Sequence, residues 1–282
     1  MSLFEFRSSD ALTLRYTCNG SGPLVIALHG FPDTFRTWDQ MASRLVAEGY
    51  TFVALAMRGY VLSDVSETAA YSIDRLAMDV LELLDHLKCE KAVIIGHDWG
   101  ASTAYAIAAM YPERVSRIVT FAIAPLAVAP SGWRERWARP HNIYLGLGAL
   151  SDWWFRRGDF REIERLYGLW SPNWDVPMSH LSRVRDALRP AERSKAAIDY
   201  YRLGKTGQTS NNLTTPTQIP ALIVYGEDEP DIRKAAFRSA LDAVGKDSKL
   251  IEIAGVGHWP HFEAPEQCFV EVNSFISSQQ QP

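Results

Sequence analysis

Short apolar runs punctuate the chain, each closing on glycine or polar residues. They are PLVIALHG (23–30), TFVALAMRG (51–59), KAVIIGHDWG (91–100), VSRIVTFAIA (115–124), PALIVYGEDE (220–229) and SKLIEIAGVGHW (248–259). Continuous apolar runs of this length suit strands buried on both faces, as in a parallel sheet. Between them the spacing becomes helical. TWDQMASRLVAEG (37–49) puts Trp38, Met41, Leu45 and Val46 on one face and stops at glycine. SIDRLAMDVLELLDHLKC (72–89) opens on a predicted Ser72 cap and repeats Leu76, Val80, Leu83 and Leu84 at helical intervals. Strands alternating with helices predict an α/β class: a mostly parallel central sheet flanked by helices. FEFRSS and LTLRYTC, near the start, alternate instead and predict antiparallel strands at a sheet edge.

From about residue 126 to 213 the strand-like runs vanish. Tryptophan becomes dense there (Trp133, Trp137, Trp153, Trp154, Trp170, Trp174), and helical stretches such as FREIERLY and ERSKAAIDYYRL remain. The change predicts a helical insertion (126–213) dividing one core domain into 1–125 and 214–282. GKTGQTSNNLTTPTQIP would return the chain to the sheet through turn-forming residues. A length of 282 residues fits one core with a large insertion better than two independent domains.

Composition narrows the function classes. Hydrophobic residues are 47% and charged residues 22%, the balance of a soluble globular protein. A net charge of −4 gives no basic footprint for nucleic acid. Cys18, Cys89 and Cys268 are far apart and odd in number, which is neither a disulfide framework nor a metal spacing, so no metal and no cofactor are expected. MSLFEFRSSD lacks the pattern of a signal peptide, and no apolar stretch is long enough to span a bilayer. A cytoplasmic protein without a membrane partner is the expectation. The polar tail SSQQQP is expected to fray. The oligomeric state stays open, a homodimer included.

The chemistry gathers at residues 96–102, GHDWGAS. An apolar strand runs into Gly96, and the small-residue stretch ASTAYAIAAM follows as a helix. Strand–turn–helix is the context of a nucleophile elbow of the form G-x-S-x-G, but the tip residue is Asp98. The ordinary alternative is a plain turn with Asp98 as N-cap. A carboxylate at the tip meets a distinct chemical need. Serine attacking an sp³ carbon would leave an inert ether, whereas a carboxylate leaves an ester that activated water can cleave. Such a scheme needs a base, an acid to orient it, and donors for the oxyanion. His258, in AGVGHWPHFEAPEQ after the last strand, suits the base, although neighbouring His261 shows that residue type alone decides nothing. YGEDEP offers Glu227, Asp228 and Glu229 as the acid, with Asp231 beyond the proline. Oxyanion donors are expected at the Trp99 N–H and within HGFPD (29–33).

With these pieces in order, the chain resembles the α/β-hydrolase fold family, and within it the epoxide hydrolases, near the haloalkane and haloacetate dehalogenases. LHGFPDTFRTW is similar to the family's HGxP oxyanion loop, which implies Phe31 as the partner of Trp99. GHDWGAS resembles the epoxide-hydrolase nucleophile motif, GVGHWPHFEAPE the histidine segment, and 126–213 takes the place of the helical cap. The family pattern G-x-x-D-P implies Glu229 as the acid, one methylene longer than usual, with Asp228 the alternative. IDYYR resembles the cap segment that supplies a tyrosine donor, implying Tyr201. Where the family has a second cap tyrosine, SDWWFRRGD offers Trp153 and Trp154, and Tyr144 is the nearest tyrosine. LAMRGYVLSD also departs, because the family often has Asp before the arginine and Gly after the tyrosine.

The resemblance implies an epoxide hydrolase that opens a small hydrophobic epoxide with water to a vicinal diol through an ester on Asp98. A haloalkane-type dehalogenase with the same nucleophile is the alternative, although Phe31 offers no polar group for halide. Trp99 and Ser102 stand where the haloacetate branch has arginines. A non-catalytic ligand-binding protein of this fold is the reading from a different class. The tryptophan-dense insertion suggests a bulky aromatic ligand.

Overall fold

The computed structural model describes residues 2–128, 140–203 and 214–277. Its strands are β1 (Ser2–Arg7), β2 (Thr13–Asn19), β3 (Leu24–Leu28), β4 (Thr51–Ala56), β5 (Ala92–His97), β6 (Val115–Phe121), β7 (Ala221–Gly226) and β8 (Lys249–Ile253). They form an eight-stranded sheet in the order β1-β2-β4-β3-β5-β6-β7-β8. Pairing is parallel from β4 through β3 to β8, while β2 runs antiparallel to β4 and β1 antiparallel to β2. The helices are α1 (Asp39–Ala47), α2 (Ile73–His86), α3 (Trp99–Met110), α4 (His141–Tyr144), α5 (Ala149–Trp170), α6 (Met178–Leu188), α7 (Ala191–Leu203), α8 (Asp231–Phe237), α9 (Pro260–Glu263) and α10 (Pro265–Ser277).

The apolar runs are unbroken because the sheet has a core on each face. Ile26, Leu28, Ile94, Ile118 and Ile223 point to one core, shared with Leu76, Val80 and Leu83 of α2 and the alanines of α3. Val25, Ala27, Val93, Ile95, Val119 and Val224 point to the other, closed by Met41 and Leu45 of α1 and Val272 and Phe275 of α10. Ser72 caps α2 as predicted, accepting from Arg75 N at 3.4 Å. That helix stops at His86, short of Cys89, because Lys88 turns left-handed at φ +53. A 3₁₀ turn over Phe35–Trp38 precedes α1, so the regular helix begins after Trp38.

Helices α4 to α7 lie between β6 and β7, and α5 breaks at Arg157–Phe160 into two parts. Trp133, Trp137 and the stretch 204–213 of the return segment lie outside the described residues, as does most of the SSQQQP tail. Among the described residues no helix is long and apolar enough to cross a membrane.

The segment LAMRGYVLSD now has a physical account. The Arg58 side chain is fully buried. It donates to both oxygens of Asp79 on α2 at 2.6 Å, to Asp10 at 2.8 Å, and to Ala70 O at 2.9 Å. Its own carbonyl accepts from Tyr200 of α7 at 2.8 Å, which ties the insertion to the sheet. The carboxylates that hold the arginine therefore come from the β1–β2 turn and from α2, not from the residue before it. Removing one partner of a buried ion pair strands the other. Asp79→Ala should lower the unfolding free energy by about 3 kcal/mol in urea titration. An Arg58→Met/Asp79→Leu double variant should recover part of that loss.

Candidate active site

Asp98 stands at the C-terminal end of β5, where α3 begins. Its backbone is held at φ +52, ψ −114, a strained conformation that turns the side chain out over the sheet. Such a turn requires backbones to approach without side chains between them. A Cβ on Gly100 would stand 2.1 Å from Leu28 O, and one on Gly30 would stand 2.3 Å from Asp98 Cβ. The loop after β3 therefore lies directly against Asp98, and Phe31 N donates to Asp98 Oδ1 at 2.9 Å. Trp99 N opens α3 beside it, among the first-turn donors a helix cannot satisfy itself.

The loop is fixed by buried polar contacts. His29 Nε2 accepts from Met57 N at 3.2 Å, which leaves Nδ1 to donate to Gly30 O at 3.0 Å. Burial holds this histidine down to about 4, so it is neutral. Tyr167 of α5 donates to Pro32 O at 2.9 Å, and its ring stacks on Trp259 at 4.0 Å. The Trp259 indole donates to Asp33 Oδ2 at 3.1 Å. The insertion thus clamps the loop from above.

His258 follows β8. Its N–H is shared between Trp170 O at 3.0 Å and Ser171 Oγ at 2.9 Å, both at the end of α5. Glu263 of α9 accepts from Gly257 N, Trp259 N and Ser171 Oγ at 2.7–2.9 Å, which fixes the whole histidine loop. The ring Nδ1 meets Glu229 Oε1 at 2.8 Å. Nε2 has no hydrogen-bond partner and lies 3.6 Å from Asp98 Oδ2. The gap leaves the two groups facing a shared space.

Glu229, rather than Asp228, meets the histidine. The Asp228 carboxylate accepts from Asn173 at 2.8 Å on the exposed side of the turn. Glu227 accepts from Gly255 N at 2.9 Å, also exposed, and Asp231 starts α8. His261 is structural: it bonds Thr37 Oγ1 at 2.8 Å and stacks on Trp38 at 4.4 Å.

The charges are coupled. Burial pushes the Asp98 carboxyl up, but the facing His258, with His97 and the Phe31 N–H, outweighs it and brings it down to about 2. Burial pushes His258 down, and the facing Asp98 carboxylate with the hydrogen-bonded Glu229 overcomes it, leaving the imidazole above its ordinary value. Burial likewise raises Glu229, and His258 and Arg233 reverse that.

The pocket over Asp98 has a volume of about 80 Å³, and its polar lining includes His258, Tyr201, His141, Asn142, Ser102 and Arg233. Ile73, Ile123, Leu126 and Phe237 supply much of the apolar wall. Tyr201 sits edge-on to Phe31 at 5.1 Å and to Trp99 at 5.4 Å. Burial, with Asp98 nearby, raises its phenol well above the ordinary value, so it stays protonated.

The other insertion residues named from the sequence are placed elsewhere. Trp153 is 60% exposed and Trp154 37%, on the part of α5 before its break, with the Arg157 guanidinium 3.4 Å from the Trp154 ring. Tyr144 turns its hydroxyl to Glu162 at 2.6 Å and accepts from Arg165 at 2.8 Å. The expectation that Trp153, Trp154 and Tyr144 bind substrate is corrected accordingly: none of the three is in the lining of the pocket over Asp98. His141, which the sequence reading passed over, does line the pocket. Its ring packs against Trp170 at 4.7 Å and Tyr201 at 5.7 Å. A lone histidine in RPHNIY carries no spacing that would mark it. Among the described residues, no group of three or more histidine, cysteine or acidic side chains could hold a metal ion.

The profile of the alpha/beta hydrolase fold matches residues 23–265. Epoxide hydrolase B of Mycobacterium tuberculosis (strain ATCC 25618 / H37Rv) is 34% identical, with 87% of this chain and 89% of that protein covered. Epoxide hydrolase 4 of Mus musculus is 40% identical, with 86% of this chain and 70% of that protein covered. The crystal structure of Epoxide Hydrolase A from Mycobacterium thermoresistibile superposes with a TM-score of 0.86 at 23% identity, covering 98% of each chain.

The charge coupling is testable without turnover. NMR titration of His258 should give a midpoint above the ordinary 6.5. Glu229→Gln and Asp98→Asn should each lower it by about one unit, because each removes an anion that favours imidazolium. Asp228→Asn should leave it unmoved.

Proposed function

The chain belongs to the α/β-hydrolase fold family, in its epoxide hydrolase branch, and on that premise we propose that it hydrolyses a small epoxide to a vicinal diol in two steps. First, an Asp98 oxygen attacks an epoxide carbon, the ring C–O bond breaks, and an alkyl ester forms. The departing oxygen stays on the substrate as an alkoxide and takes a proton from Tyr201, with His141 beside it as a second hydrogen-bond donor. Second, His258 Nε2 takes a proton from water, and the hydroxide attacks Asp98 Cγ. The Phe31 and Trp99 N–H groups receive the oxyanion. Collapse expels the diol oxygen, which takes the proton from His258. The remaining acid proton, released as Asp98 re-ionises, restores Tyr201.

The observation that carries this reading is the pairing of an ionised carboxylate with a histidine that faces it from 3.6 Å while leaning on Glu229. Nε2 is the ring nitrogen turned toward Asp98, so it is the one placed to take a proton from water that attacks an ester there. The low position of the Asp98 carboxyl keeps it a nucleophile at any ordinary pH. Tyr201 and His141 reach the pocket from α7 and α4, so we read residues 126–213 as a cap that brings the proton donors. The cavity of about 80 Å³ favours a compact aliphatic epoxide over a polycyclic one.

Dehalogenation with the same nucleophile is the second reading. One observation favours it: the buried Trp170 Nε1 has no hydrogen-bond partner and its residue lines the pocket, so Trp99 and Trp170 would be the two halide donors. Chloride release from chloroalkanes without epoxide turnover would select it. Binding of either class without product would select the ligand-carrier reading.

His258→Gln should react once and stop, so mass spectrometry should find the peptide containing Asp98 heavier by the epoxide. Wild-type single turnover in ¹⁸O-water should place label in that carboxylate. Label only in the diol would instead mean direct attack by water. Tyr201→Phe should slow ester formation roughly 10–10³-fold and leave hydrolysis of the formed ester less affected. Stopped-flow tryptophan fluorescence follows both phases.

A further inference from the structure

The acid that orients His258 is a glutamate, and a glutamate on the end of a turn has one more torsion to fix than an aspartate. A single hydrogen bond to one carboxylate oxygen leaves the plane of the group free to rotate. Here the second oxygen is also held. Arg233 Nη1 donates to Glu229 Oε2 at 3.2 Å, while Oε1 bonds His258 Nδ1 at 2.8 Å. Glu229 and Arg233 are four residues apart across the start of α8, a spacing at which side chains meet. Both are buried, at 2% and 7% exposure.

Arg233 is itself constrained. Its guanidinium lies 5.6 Å from the centre of the Trp170 ring, the residue whose carbonyl holds the His258 N–H. Its Nε is buried without a hydrogen-bond partner. A buried cation with an unsatisfied donor is costly, and in this position its other contacts are with the catalytic acid and an active-site wall.

Charged and titratable groups face this trio from each neighbouring element. The β5–α3 turn contributes Asp98 and His97, α9 contributes His261 and Glu263, α4 contributes His141, and α7 contributes Tyr201. Burial keeps His97 and His261 neutral, and Tyr201 stays protonated. The charged groups around His258 are therefore Asp98, Glu229, Arg233 and, bound to the backbone on either side of it, Glu263. Once Asp98 is esterified its charge is gone, and Glu229 with Arg233 are the pair that bears directly on the ring.

We propose that Arg233 is a positioning residue for the hydrolytic step: it locks the Glu229 carboxylate in the plane that aims His258 and offsets its negative charge, so that the imidazole stands neutral and ready to take a proton from water when the ester forms. The role rests on the two-step reading above. It concerns the base and not the nucleophile, so it separates the two steps. Removing the cation lets Glu229 hold a proton on His258 to higher pH, which moves the acidic limb of hydrolysis upward. Removing the hydrogen bond also lowers the rate at the plateau.

Quench-flow with propylene oxide, followed by mass spectrometry of the Asp98 peptide, resolves the steps. Arg233→Met keeps the apolar stem over Trp170. It should form the ester within about threefold of the wild-type rate and hydrolyse it about tenfold more slowly. Its acidic limb should lie about one pH unit higher. Arg233→Lys keeps the charge and should retain the wild-type limb. Arg233→Met added to Glu229→Gln should cost little beyond Glu229→Gln alone, because the arginine acts through that carboxylate. Wild-type hydrolysis in Arg233→Met, or an equal fall in both steps with an unmoved limb, would overturn the role. The NMR midpoint of His258 in the resting protein supplies a readout that needs no turnover. Arg233→Met should raise it, and an unchanged or lowered midpoint would count against the proposal. Absence of any Asp98 ester in wild-type and His258→Gln proteins would reject the two-step reading, and the NMR midpoint would still decide the arginine's effect on the histidine.

Discussion

The contact of three backbones beneath Asp98 is the constraint on which the remaining geometry rests. The end of β3, the end of β5 and the start of α3 come together so closely that Gly30 and Gly100 leave no room for a Cβ. That approach holds Asp98 in a backbone conformation it would not choose, and it brings the Phe31 N–H to the carboxylate. Neither effect could come from side chains alone. The parallel order of β3, β5 and β6 supplies the register, and the apolar packing on both faces of the sheet supplies the free energy that tolerates the strain.

Charge is the second layer. Burying two carboxylates within reach of one histidine would be unfavourable if each were solvated only by the other groups' dipoles. Here they are distributed around the imidazole so that each has a cationic or hydrogen-bonding partner: Asp98 on the open side, Glu229 behind, Arg233 behind Glu229. After β4, Arg58 shows the same rule with the signs reversed, one buried cation between Asp10 and Asp79. Both clusters sit just past the end of a strand of the sheet, and both also touch the insertion, through Trp170 and through Tyr200.

Much of this was legible in the sequence where backbone and burial set the pattern. The buried strands read as unbroken apolar runs because the sheet is covered on both faces. The glycines around Asp98 and before His258 marked turns whose tips had to carry something. The choice between Asp228 and Glu229 was not legible from spacing, because both follow the same turn and only its path decides which carboxylate points inward. Family likeness favoured Glu229, and the structure puts Asp228 on the outer side with Asn173. Tryptophan density misled, since an indole serves equally as a pocket wall and as a surface residue stacked under arginine. Trp170 became the first, and Trp153 and Trp154 the second. His141 left no mark because its place beside Tyr201 depends on how α4 and α7 pack, which local spacing does not encode.

The hold that the end of α5 keeps on the histidine loop bears on how such a chain can change over time. Trp170 O and Ser171 Oγ share the His258 N–H, and Tyr167 reaches across to Pro32. Segment 167–171 is thus part of the support of the loops that carry His258 and Phe31, although by chain position it belongs to the inserted helices. A new specificity cannot be acquired by exchanging the insertion wholesale with that of a distant relative, because the exchange would also remove the supports of the His258 loop and of the loop after β3. Change has to enter instead through the parts of the insertion that touch substrate alone, or through the insertion and the two loops drifting together.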